Sequence, residues 1–180
     1  MKTLLASLAL AAMIVVLAPQ AAVAQEGMSI QGAFAVTAAA SPNTGGTSFC
    51  GGPAQPLIVE AHGNGYTSLG ALSLSLQKTI NVPGAMHGCL SLVAPNGDTL
   101  TATYDGTEGA PNANGFISAS GTFTFTGGTG RFHGASGNAH FTAVFLGIYP
   151  LSSFLGGTPA PLQVIAYYTF QGNVLLRGGD

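Results

Sequence analysis

Glu60 and His62 stand two residues apart in Leu57-Ile-Val-Glu-Ala-His62. In an extended segment such a pair shares one face. If that face points into a pocket, the carboxylate and imidazole can exchange a proton with a substrate. If it points out, both are solvated. Asp105 and Glu108 form a second pair, both acidic, which at a rim could hold calcium or divide acid and base roles. A solvated loop is the simpler expectation for them. Arg131 is one of only three cations after residue 24, with Lys78 and Arg177. It could hold a ligand carboxylate or polarise a carbonyl. The plainer role is to pin its turn by pairing with a nearby carboxylate or backbone carbonyl. The catalytic candidates are therefore Glu60, His62 and Arg131.

Other chemistries find less support. His62, His87, His133 and His140 have no zinc-motif spacing, so no metal is expected. No serine occupies a nucleophile elbow. Gly128-Thr-Gly-Arg-Phe-His-Gly134 echoes a phosphate-binding loop, but that loop needs a helix after it, and strand patterns lie on both sides here. No cofactor is implied. Residues 25–180 carry three cations against six carboxylates, a net charge of −3, with no basic cluster for nucleic acid or an anionic membrane surface. Charged residues make up 6% of the chain, against about 25% in ordinary domains, so Ser, Thr, Asn, Gln and Gly must form most of the wet surface.

The first segment reads as an address. Lys2 precedes an apolar run from Leu4 to Ala18, Pro19 and Gln20 break it, and Ala22-Val-Ala24 offers the small residues of a cleavage site. The run is short of the ~20 apolar residues that span a bilayer, so a removed signal peptide over 1–24 is expected rather than an anchor. Residues 25–180 would then be one exported domain, secreted or periplasmic, behind a leader of bacterial style. After Gln25 no apolar stretch is long enough for a transmembrane helix. Cys50 and Cys89 are the only cysteines, and in an exported chain the expected state is one disulfide between them.

Period-two alternation dominates the chain from Tyr66 on. Leu72, Leu74 and Leu76 oppose Ser73, Ser75 and Gln77. Leu100, Ala102 and Tyr104 oppose Thr99, Thr101 and Thr103. Phe123 and Phe125 oppose Thr122, Thr124 and Thr126. Phe141 and Phe145 oppose His140 and Thr142, and Tyr168 and Phe170 oppose Thr169 and Gln171. Each stretch reads as a strand with one buried and one wet face. Asn96-Gly97 carries hairpin chemistry, and Gly127 to Gly130 joins two strands. Residues 42–46, 53–56, 109–115 and 150–161 read as loops. Seven or eight such strands need a sandwich or a barrel, and periodicity does not choose between them.

A resemblance favours the barrel. Phe123-Thr-Phe-Thr-Gly-Gly-Thr-Gly-Arg-Phe-His-Gly-Ala-Ser-Gly137 resembles the glycine turn of dirigent proteins, and most closely that of exported bacterial proteins related to the allene oxide cyclase barrel. Thr67-Ser-Leu-Gly70, Asn96-Gly-Asp-Thr-Leu-Thr-Ala-Thr-Tyr-Asp-Gly106 and Tyr168-Thr-Phe-Gln-Gly172 are similar to that group's Thr-x-Leu-Gly strand, central hairpin and closing strand. The likeness covers roughly residues 60–174. It implies an all-β fold, an eight-stranded antiparallel barrel, from which this chain departs at 38–56, holding Cys50, and at 147–161, both read as extra loops. It implies no particular activity, because that fold hosts enzymes and non-enzymes.

Two functions are expected. One is a non-catalytic exported barrel that binds a small apolar ligand or serves the envelope or matrix. Leu72, Leu74, Tyr104, Phe123, Phe125, Phe141 and Tyr168 would line its cavity, if they do not simply fill the core. The other is a cyclase or isomerase that encloses a flexible apolar substrate and places one acid–base group. A homo-oligomer is compatible with either. An outer-membrane barrel fits poorly, because the outer face would be Thr and Ser rather than an apolar band.

Overall fold

The alternation closes on itself. In the computed structural model, which describes residues 25–147 and 162–177, eight strands form a closed antiparallel barrel in chain order. They are β1 (Gln25–Pro42), β2 (Leu57–Thr67), β3 (Gly70–Ile80), β4 (Gly84–Val93), β5 (Thr99–Glu108), β6 (Phe116–Gly128), β7 (Ser136–Gly147) and β8 (Leu162–Arg177). β1 pairs with both β2 and β8, from Gln25↔Arg177 to Ala40↔Leu162, so no edge strand is left among the described residues to template aggregation. The signal-peptide reading of 1–24 and most of the 147–161 loop lie outside the described residues. The other expected insertion is shorter than the sequence suggested: Ala38–Pro42 belongs to β1, and the loop starts at Asn43. Its alanines pair across β2 as a strand does.

Inward positions repeat every second residue. They include Leu72, Leu74, Leu76, Lys78 and Ile80 on β3, and Leu100, Ala102, Tyr104 and Glu108 on β5. Outward positions carry hydroxyl pairs such as Thr101–Thr126 and Thr142–Thr169. A β-bulge at Thr101/Ala102 tightens the β5–β6 twist. Glycine is required where strands coil closest. A Cβ on Gly65 would collide with the Ala33 carbonyl oxygen and lie 2.5 Å from the Phe34 ring.

The Asn96-Gly97 hairpin forms as expected, with Gly97 at φ 89°. After Gly128, a single 3-10 turn (Gly130–Phe132) tucks the fully buried Phe132 under the same end of the barrel. Arg131 pins it there. Its Nη2 donates to the Leu69 carbonyl at 3.0 Å, and its guanidinium lies 4.6 Å from the Phe132 ring centroid. At the opposite end, the Cys50–Cys89 disulfide fastens the 43–56 loop to the outer face of β4. His87 reinforces that seam. Its Nδ1 meets the Asp105 carboxylate, and its Nε2 lies 3.3 Å from the Cys50 carbonyl.

Candidate functional site

Side-chain size along the inner face decides where the barrel is full. Around Phe123 it is full. Phe123 stacks on Phe141 at 4.6 Å between centroids, and Tyr104, Phe170 and Phe34 extend the cluster edge-on or stacked. Burying each such ring is worth about 1.5–3 kcal/mol. Toward the other end β1 supplies Val36, Ala38 and Ala40, β2 supplies Val59 and Ala61, and β8 supplies Val164 and Ala166. These short side chains do not meet across the axis. They leave a cavity of about 560 Å³, its rim formed in part by Pro111, Asn112, Ala113 and Gly115 of the β5–β6 loop. Phe145 and Tyr168 close it toward the packed half, with their rings edge to face at 5.6 Å.

The polar contents of this cavity are few and specific. Lys78 and Glu108 both line it, and they form an ion pair 2% and 7% exposed. Lys78 Nζ also lies 3.6 Å from Met86 Sδ and 4.8 Å from the centre of the Phe145 ring. Room for this arrangement comes from glycine: a Cβ on Gly88 would stand 2.8 Å from Lys78 Cα, and one on Gly106 would stand 2.9 Å from Met86 Cε. Burial pushes the Tyr168 phenol well above the usual tyrosine range, and the Glu108 charge adds to this. Tyr104 is raised in the same direction, first by burial, then by Tyr168 and Glu108. Its hydroxyl is buried and has no hydrogen-bond partner among the described residues. Such an orphan costs about 1–3 kcal/mol.

The sequence candidates fall elsewhere. Glu60 and His62 do share a face of β2, but it is the outer one, because Val59 and Ala61 take the inward positions; both are exposed, and Glu60 accepts from Gln77 Nε2 at 3.1 Å. Arg131 lies at the far, closed end. None of the three reaches the cavity. Asp105 and Glu108 are separated by an odd number of positions and face opposite ways. Asp105 is 68% exposed beside His87, whereas Glu108, expected in a solvated loop, is the buried last residue of β5. Of the seven expected lining residues only Tyr168 borders the cavity. Leu72 lies under an outer groove, and Tyr104, Phe123, Phe125, Phe141 and Leu74 belong to the packed core. Lys78 carried no expectation at all. Among the described residues no cluster of three His, Cys, Asp or Glu could hold a metal. Nor is any described helix long and apolar enough to cross a membrane.

Fold and site together define a closed eight-stranded antiparallel barrel with one filled and one hollow end, the hollow end holding a single buried ion pair. No family model, curated protein or solved structure matches the chain.

Proposed function

We propose that the protein is an exported carrier or sequestering barrel for a small, largely apolar molecule that bears one neutral polar group. The observation that supports this reading is the composition of the cavity: a wall mostly of Ala, Val, Ile, Leu and Phe, with Tyr168 and Asn112, around one Lys–Glu pair. A wall of that kind favours apolar surface. The ion pair is neutral as a unit, so a ligand carboxylate would have to displace Glu108 and leave it buried and unpaired. A carbonyl accepting from Lys78, or a hydroxyl donating to Glu108, needs no such displacement. The resemblance of the glycine turn to the dirigent and allene oxide cyclase barrels agrees with a hollow barrel. The export reading of residues 1–24 and the Cys50–Cys89 disulfide agree with each other.

An isomerase or cyclase is the second reading, and one observation favours it. Glu108 and Lys78 offer a base and an acid at one end of an apolar chamber, which is what proton transfer on an enclosed substrate requires.

Binding is tested with Nile red, a neutral apolar dye, added to the protein produced without residues 1–24. Fluorescence should rise and saturate near one dye per chain. Ala61→Phe, which fills the cavity from β2, should abolish the rise while the β-sheet circular dichroism is kept. An undiminished signal in that variant would place the dye on the outside and remove the carrier reading.

A further inference from the structure

Resting on the carrier reading, we infer that Lys78 captures aldehydes as a reversible imine, with Glu108 as proton shuttle and counter-ion. The ligand class is thus an apolar aldehyde.

The Lys78 ammonium has three N–H bonds to place. One faces the Glu108 carboxylate. The remaining neighbours are a thioether sulfur at 3.6 Å and the face of the Phe145 ring. Both are weak acceptors beside a carboxylate. An iminium at the same nitrogen keeps one N–H and one positive charge. It retains the bond to Glu108 and gives up only the two weak contacts. Conversion therefore leaves no buried charge unpaired, which is the costly outcome in an apolar site.

Lys78 first passes a proton to Glu108, and the free amine attacks the carbonyl carbon, forming a C–N bond as the C=O π pair moves to oxygen. The carbinolamine oxygen takes the proton from Glu108 and one further proton from nitrogen by way of the same carboxylate. Water then leaves as the C=N bond forms. In sum, an ammonium and an aldehyde give an iminium and one water, and Glu108 ends as the carboxylate it began as. Lysine amines in apolar surroundings beside an ionisable partner are suited to this role. The cavity takes the aldehyde's apolar body, with Val36, Val59 and Ile117 among the wall residues.

The chain makes the experiment clean, because Lys2 and Lys78 are its only lysines. Protein lacking residues 1–24 is incubated with cinnamaldehyde and sodium cyanoborohydride, which reduces the iminium to a stable secondary amine. Intact mass and peptide mapping should then show one adduct on Lys78, besides any on the α-amine. Nile red added beforehand should suppress it. Lys78→Arg, which keeps a positive charge beside Glu108, should keep the β-sheet circular dichroism but form no adduct beyond the α-amine. Glu108→Gln should slow trapping about a hundredfold, the scale of a lost proton shuttle. Adduct confined to the α-amine, or the same adduct yield in Lys78→Arg, overturns the imine proposal while leaving the carrier reading intact. Failure of the wild-type protein to bind Nile red overturns the carrier reading itself. Should Lys78→Arg not fold, the position of the wild-type adduct still decides.

Discussion

Around Phe123 the barrel interior is a stack of rings in contact, closed below by Phe132 on its glycine turn. Around Lys78 the same eight strands enclose open space bordered by Ala38, Ala61 and Ala166. The backbone does not differ in kind between the two ends, since the pairing is continuous from one to the other. What differs is the volume of every second side chain. On β1 the inward series runs Ile30, Gly32, Phe34, Val36, Ala38, Ala40, and it shrinks past Phe34. The filled end therefore supplies the burial that stabilises the fold, and the hollow end forgoes some of it to keep a cavity with a charge pair inside. An eight-stranded barrel sits at the size where either outcome is open. This one takes both.

The sharpest way to separate the ends is to break the ion pair. Lys78→Met leaves Glu108 buried and alone, and should lower unfolding free energy by about 3–5 kcal/mol in chemical denaturation. Lys78→Met with Glu108→Leu should recover most of that loss, because an apolar pair of similar volume needs no partner. A single variant as stable as wild type would mean that the pair is not desolvated and that the hollow end is open to water.

Alkali probes the boundary between the ends. Tyr104 and Tyr168 are held neutral by burial and by the Glu108 charge, so their phenols lie above the unfolded value of about 10. Above that pH the unfolded chain has released protons that the fold still holds. Stability should thus be undiminished by these groups below about pH 10 and fall as the pH rises beyond it, by up to about 1.4 kcal/mol per pH unit for each. Tyr168→Phe should flatten the decline by about half. Phenolate absorbance followed alongside denaturation should show both rings ionising only as the protein unfolds.

A matched pair of substitutions asks the comparison directly. Ala139 faces inward opposite Phe123 and is fully buried, so Ala139→Leu should overpack the filled end and cost about 1–3 kcal/mol. Ala38→Leu adds the same atoms at the cavity wall. It should cost nothing or stabilise slightly, and reduce Nile red binding. Equal losses in thermal melts of the two variants would contradict the idea that the ends are packed differently.

Much of the fold is legible in the residues. The alternating runs at Leu72–Leu76 and Phe123–Phe125, with the Asn96-Gly97 turn, specify strands and their inner faces, and those faces are the observed ones. The site is legible in principle by extending the same count. Two steps past Leu74 lies Lys78, and four residues past Tyr104 lies Glu108, so period two already places both inside. The polar residue type, read as a surface signal, masks them, since isolated charges rarely enter a core. Mutual pairing removes that objection, but it joins residues 30 positions apart on strands that are not neighbours, and no local pattern records it. Glu60 and His62 mislead in the opposite way. Their spacing puts them on one face, and only the adjoining Val59 and Ala61 tell which face is wet.

Tyr104 stands where the filled and hollow ends meet, and it carries the smallest expected effect. Its ring is part of the aromatic stack, whereas its hydroxyl, unpartnered, senses Tyr168 and Glu108. Tyr104→Phe removes that hydroxyl and keeps the ring. If packing were the residue's whole purpose, the change should stabilise the fold by about 1 kcal/mol, because an unsatisfied buried group is lost with little else. If the hydroxyl also serves the cavity, the same variant should gain that stability and at the same time release Nile red faster. Measuring unfolding and dye dissociation on one preparation separates the two: stability gained with unchanged dissociation assigns Tyr104 to the filled end, and stability gained with faster release assigns its ring to one end and its oxygen to the other.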